Sequence, residues 1–176
     1  MKLISTILLI SAMASSSVIF DFKSNSNLNK WKVVDDTVMG GRSQGNLILN
    51  EEKNGVFFGT VSTENYGGFS SIRYNGEAVS TKDKTHVLLR VKGDGKSYQF
   101  RIKNENSLRY SFITEFKTSG KWETIRLSLA DFYPSFRGRK LDKPNFNHSE
   151  IEEIAFLIGN KKNESFKLII ESITLD

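Results

Sequence analysis

Short alternating apolar and polar runs recur along this chain, each closed by turn chemistry, and hardly a helical period stands between them. The runs fall at 18–22, 46–49, 56–62, 69–74, 86–92, 98–103, 109–116, 122–127, 154–158 and 166–175. A period of two puts successive side chains on opposite faces, so each run is a strand with one face for a core. About ten such strands in 176 residues predict an all-β fold, either a sandwich or a closed barrel. The 13 Phe, 5 Tyr and 2 Trp against only 2 Pro suit sheet packing and exclude a disordered chain, and the length suits one domain with a real core. Two helical turns are expected at most, near 129–132 and at 149–152, where Ser149 and Glu152 match a capping box.

The least ordinary connection is the stretch WKVVDDTVMGGRSQG, residues 31–45. Val33 and Val34 end a strand, Asp35 and Asp36 are turn formers, and Gly40–Gly41 allows positive φ or a close backbone approach. Two readings fit these residues. In one, the aspartates cap backbone amides while Trp31 and Met39 plug the core. In the other, Met39 and Arg42 are displayed on a glycine hinge as a recognition loop.

The run DDTVMGGRS resembles the signature of the CIA30 family, the complex I intermediate-associated proteins of 30 kDa. GGFSSIRY at 67–74, LRVKGDGKSYQFRIK at 89–103 and FRGRKLD at 136–142 match in order. The resemblance covers nearly the whole chain beyond its leader. It implies a galactose-binding-like jelly-roll β-sandwich that works as an assembly factor or binding module and not as an enzyme, with no cofactor. On that reading Asp35, Asp36, Met39, Gly40, Gly41, Arg42 and Ser43, helped by Gly67, Gly68, Arg137 and Gly138, hold a protein partner in a membrane or envelope complex. Arg42 and Arg137 would be charge-assisted donors and Met39 an adaptable apolar contact.

Residues 1–14 read as an export signal: Lys2, an apolar run, then Ala12-Met13-Ala14 as a small-x-small cleavage pattern. That leaves 15–176 as the domain and no transmembrane segment after cleavage. The family's best-known role lies inside mitochondria. This leader instead has no arginine and no basic helical face, and it predicts a periplasmic or secreted protein. With no Cys there is no disulfide, thiol chemistry or Cys-based metal site. The net charge of +5 is a mild excess, compatible with an anionic partner and too small to call for nucleic acid.

Lys92-Gly93-Asp94-Gly95-Lys96 has the chemistry of a hairpin turn between two alternating strands. In-register pairing there would gather Arg90, Lys92, Arg101 and Lys103 on one face, with Arg73 and Arg109 as extensions. They would form either a basic patch or a solvated face offset by acids.

Catalytic constellations are weak. Gly41-Arg42-Ser43-Gln44-Gly45 matches the nucleophile elbow of serine hydrolases, but a strand leaves it where a helix is required. Asp35–Asp36 and Glu152–Glu153 are adjacent, and adjacent strand residues face opposite ways. Two isolated histidines offer no metal-ligand spacing. The alternative to a protein partner is an exported carbohydrate-binding module in which Trp31, Tyr66 and Tyr133 stack on sugar rings, Tyr66 and Phe69 flanking Gly67–Gly68. Phe69 is expected to enter the core. The aromatic and basic run 132–139 is expected to be a loop, its composition suited to an interface.

Overall fold

A computed structural model of the chain describes residues 17–176, without the side chains of Val38 and Met39. The export signal expected at 1–14 lies outside the described residues, as does the displayed Met39 side chain. Thirteen strands are present in the described part. They are β1 (Ser17–Asp21), β2 (Trp31–Asp35), β3 (Gln44–Leu49), β4 (Gly55–Val61), β5 (Ser70–Ser80), β6 (His86–Lys92), β7 (Ser97–Lys103), β8 (Ser111–Lys117), β9 (Trp122–Ser128), β10 (Tyr133–Phe136), β11 (Arg139–Lys140), β12 (Glu150–Ile158) and β13 (Glu164–Leu175).

They form two antiparallel sheets. One has the order β3-β4-β13-β6-β9, with β1 also on β13; the other runs β11-β10-β8-β7-β12-β5-β2. The twelve-residue β13 is long enough to carry β4 along its first half and β1 along its second, with β6 on the opposite edge. This is the jelly-roll sandwich the sequence predicts. Between the sheets the inward residues of both form one core. Phe20 and Phe22 of the first sheet's margin meet Trp31 and Tyr74 of the second through ring contacts of 4.8–5.3 Å, an arrangement worth about 0.5–1.5 kcal/mol per pair beyond area burial. Phe100, Phe116, Phe132 and Phe156 fill the middle.

Several local expectations are corrected. β6 and β7 are not hairpin partners: β6 pairs β13 and β9, and β7 pairs β8 and β12, so residues 93–96 cross between sheets. Asp94 holds this crossover, accepting from the Lys167 amide at 3.0 Å and the Tyr98 hydroxyl at 3.0 Å. The proposed four-residue basic patch therefore does not form: Arg90 packs over Trp122 on one sheet, and Lys103 is paired with Glu153 at 3.3 Å on the other. Residues 149–152 are not a helical turn, because Ile151 is buried and β12 pairs with β5 there, with a bulge in β5 opposite Glu152. That ladder extends β5 to Ser80, past the end expected at 74. The run 132–139 is not a loop: Phe132 is core, and β10 and β11 form a hairpin. Phe69 precedes its strand, half-buried. The expected short turn near 129–132 is present as a 3₁₀ turn at Leu129–Asp131.

Candidate functional site

The chain leaves β2 at Asp35 and makes a 3₁₀ turn, Asp36–Met39, closed by Gly40 in the left-handed region at φ 84°. Asp36 is 1% exposed and is the hub of two loops. Its carboxylate accepts from the Ser43 hydroxyl (2.6 Å) and amide (3.1 Å) in its own loop. Across the gap it accepts from the amides of Gly68 (2.6 Å) and Phe69 (3.2 Å), between β4 and β5. Burial pushes its pKa up, but these hydrogen bonds outweigh burial and hold it below the ordinary aspartate value. The two glycines facing it are there for room. A Cβ on Gly41 would sit 2.1 Å from Asp36 Oδ1, and one on Gly67 2.6 Å from Oδ2.

Asp35 repeats the device one residue earlier, accepting from the Gly45 amide at 3.0 Å and the Ser70 hydroxyl at 2.6 Å. Ser43 also accepts from the Ser62 amide at 3.0 Å. It is fully buried and hydrogen-bonded, so it cannot serve as the nucleophile that the elbow pattern suggested. Among the described residues no cluster of acids and histidines is placed to hold a metal ion.

What this scaffold presents outward is specific. Arg42 is 68% exposed and pairs with Glu64 at 2.7 Å, linking the loops at their rim. Asn65 reaches across to donate to the Gly40 carbonyl at 3.1 Å. Asn65 and Tyr66 both sit at positive φ, 54° and 60°, and Tyr66 is 96% exposed. An aromatic residue held in a left-handed conformation with its ring in solvent is costly, and the Asn65–Gly40 bond and the Arg42–Glu64 pair hold the segment there. Tyr66 is the functional candidate that the protein-partner reading missed. Its exposure comes from the backbone conformation, which no pattern of residue types signals.

The remaining predicted residues are not brought to this site. Arg137 (φ 50°) and Gly138 (φ 77°) are the two central residues of a primed turn between β10 and β11. They lie at the opposite edge and the opposite end of the seven-stranded sheet from Asp35, about 30–35 Å away by strand spacing and rise. Arg137 and Arg109 instead stack on Phe136 at 5.3 and 5.7 Å. Trp31 is buried in the core, against its suggested role on a sugar ring. Tyr66 and Tyr133 belong to different edges and form no common platform.

The family model for Complex I intermediate-associated protein 30 (CIA30) matches residues 20–170. An uncharacterized protein of Schizosaccharomyces pombe is 26% identical, the match covering 89% of this chain and 82% of that one. The mitochondrial Complex I intermediate-associated protein 30 of Drosophila melanogaster is 25% identical over 92% of this chain and 63% of its own length. The Mus musculus protein is 24% identical over 92% and 56%. The chain thus spans little more than half of these two animal relatives. Among solved structures, a family 11 carbohydrate-binding module of Clostridium thermocellum in complex with a mixed-linked tetrasaccharide superposes with a TM-score of 0.69. Its identity is 16%, over 93% of this chain and 96% of that one, a likeness of fold.

Proposed function

This chain belongs to the complex I intermediate-associated protein 30 family, and on that premise we propose that it is a non-catalytic assembly factor that holds a protein partner by the two loops joined at Asp36. Tyr66 carries the reading. It is displayed at 96% exposure in a strained conformation, on loops fixed from beneath by four hydrogen bonds. An aromatic and an arginine presented on linked loops are of the residue types enriched among those that dominate binding energy at interfaces. Arg42 and Tyr66 make the contact, Gly40 and Gly68 let the partner approach the backbone, and Asp35, Asp36, Gly41, Ser43 and Gly67 keep the loops in shape. Arg137 and Gly138 form a separate contact at the far corner. The partner is a component of a membrane or envelope complex; the family's mitochondrial relatives are named for intermediates of complex I. The leader's export pattern puts the encounter outside the cytoplasm.

The test is capture from detergent-solubilised membranes of the source cell with wild type, Arg42→Ala, Tyr66→Ala and Arg137→Ala. Subunits of a membrane complex captured by wild type and lost with the first two variants, at unchanged melting temperature, support the loop site. Capture that survives both refutes it. The carbohydrate-module alternative rests on likeness of fold and lacks its stacking platform, since Trp31 is core.

A further inference from the structure

On the seven-stranded sheet, ladder register places Arg73 of β5, Ala155 of β12 and Arg101 of β7 side by side in one row. Their neighbours along each strand, Ile72, Phe156 and Phe100, are buried in the core, so this row points outward, away from the sandwich interior. The two arginines are two strand spacings apart, about 9–10 Å, with only a methyl group between them. Like charges so placed repel unless an acid lies between them. Here none is interleaved: among the described residues neither guanidinium is in an ion pair.

The surroundings are ordered. Arg101 donates from Nε and Nη2 to Gln99 Oε1 at 3.1 and 2.7 Å, and Gln99 Nε2 donates to Glu115 Oε1 at 3.1 Å. This fixes the plane of the guanidinium and leaves its other donors open. The Arg73 side chain makes no hydrogen bond among the described residues. Burial, with Arg73 beside it and partly opposed by Tyr133, lowers Arg101 to about 10, so it stays a cation at neutral pH and lacks a counter-charge. Tyr133 flanks the row, close enough to Glu115 and Arg101 for both to act on its hydroxyl.

We infer that Arg73 and Arg101 hold the carboxylate of an acidic sugar over Ala155, with Gln99, Glu115 and Tyr133 taking its hydroxyl groups. Two open guanidiniums supply paired donors for one oxyanion. The amide, carboxylate and phenol beside them supply the acceptors and donors that a hydroxyl-rich ligand needs. An acidic peptide fits less well. These strands are paired on both edges and offer no free backbone for strand addition, so a peptide would be held by its side chains alone. The inference does not rest on the protein-partner reading, because the row lies on the sheet face and not in the loops.

The test is calorimetric titration of the full chain with oligogalacturonate, with neutral cello-oligosaccharide and poly-glutamate as comparisons, in wild type, Arg73→Gln, Arg101→Gln and Arg42→Ala. Oligogalacturonate is expected to bind wild type and Arg42→Ala alike, to weaken about tenfold or more in each Gln variant, and to weaken with added salt. Arg73→Gln should melt at or above the wild-type temperature, since it removes a like-charge repulsion and no side-chain hydrogen bond; Arg101→Gln also loses two hydrogen bonds to Gln99, so the Arg73 variant is the one in which lost binding is not lost folding. No binding of oligogalacturonate, equal binding by the Gln variants, or neutral sugar binding as tightly overturns the inference. Poly-glutamate binding with the same arginine dependence overturns it too, in favour of an acidic peptide.

Discussion

Replacing Asp36 with Asn tests whether one carboxylate organises the loop site. The carboxylate oxygens accept four hydrogen bonds and donate none, one to Oδ1 and three to Oδ2. An amide keeps the shape but must turn its NH₂ toward one side. With its carbonyl at the Oδ2 position, the NH₂ meets the Ser43 amide, donor against donor. One charge-assisted bond is lost, a buried N–H is left unpaired and the other three bonds become neutral. Hydrogen bonds to charged groups are worth about 1.5–3 kcal/mol and an unpaired buried donor costs about 1–3 kcal/mol; both figures describe the same Ser43 amide and overlap, so the loss should be about 2–4 kcal/mol. For a chain of this size that lowers the melting temperature by roughly 4–16 °C. The effect also has a pH signature. Asp36 is held below the ordinary aspartate value of 3.8, so its stabilisation is fully present above that value and is lost as the pH falls through the lowered one. Urea unfolding of both proteins at about pH 6 and about pH 3 should show the stability gap narrowing at the lower pH. A loss under about 1 kcal/mol, or a gap that is the same at both, refutes the hub.

Gly41→Ala should destabilise by an amount comparable to Asp36→Asn, because its Cβ would lie 2.1 Å from the carboxylate; thermal melting at neutral pH checks it. Arg42→Ala should change stability by less than about 1 kcal/mol, since its ion pair with Glu64 is solvent-exposed, and should act on partner capture alone. Arg137→Asn should leave stability unchanged or raise it by a few tenths of a kcal/mol, roughly, because Asn tolerates the left-handed turn position better; chemical denaturation reads the difference. Trp31→Ala should cost about 3–5 kcal/mol of folding stability, the mark of a core residue, in the same denaturation series.

The strands were legible because alternation survives in each: His86–Lys92 was bounded to the residue, and most others to within one or two. Pairing was not. The Asp-Gly at 94–95 has the local chemistry of a hairpin, and only the distant Lys167 amide and Thr118 side chain, both bonded to this segment, make it a crossover. Ser149-x-x-Glu152 satisfied a local capping rule and lost to a ladder with β5, whose partner residues lie about 70 positions away in sequence. The DDTVMGGRS loop was recognisable as special, but its two readings divide between neighbouring residues. Asp36 and Ser43 face in and hold the backbone, whereas Arg42 faces out. The exposure of Tyr66 follows from two successive positive φ angles in non-glycine residues, which no pattern of residue types announces. Arg137 and Gly138 joined the candidate site by motif alone, and the strand order separates them from it.

Site-specific photo-crosslinking in the source cell tests the central claim most directly, with a photoreactive phenylalanine placed in turn at Tyr66, Arg42, Lys32 and Arg137. The account predicts one and the same protein partner crosslinked at positions 66 and 42, and no product with that partner at position 32 on the sheet face. A crosslink to that partner from position 32, or from 137 without 66 and 42, would contradict it.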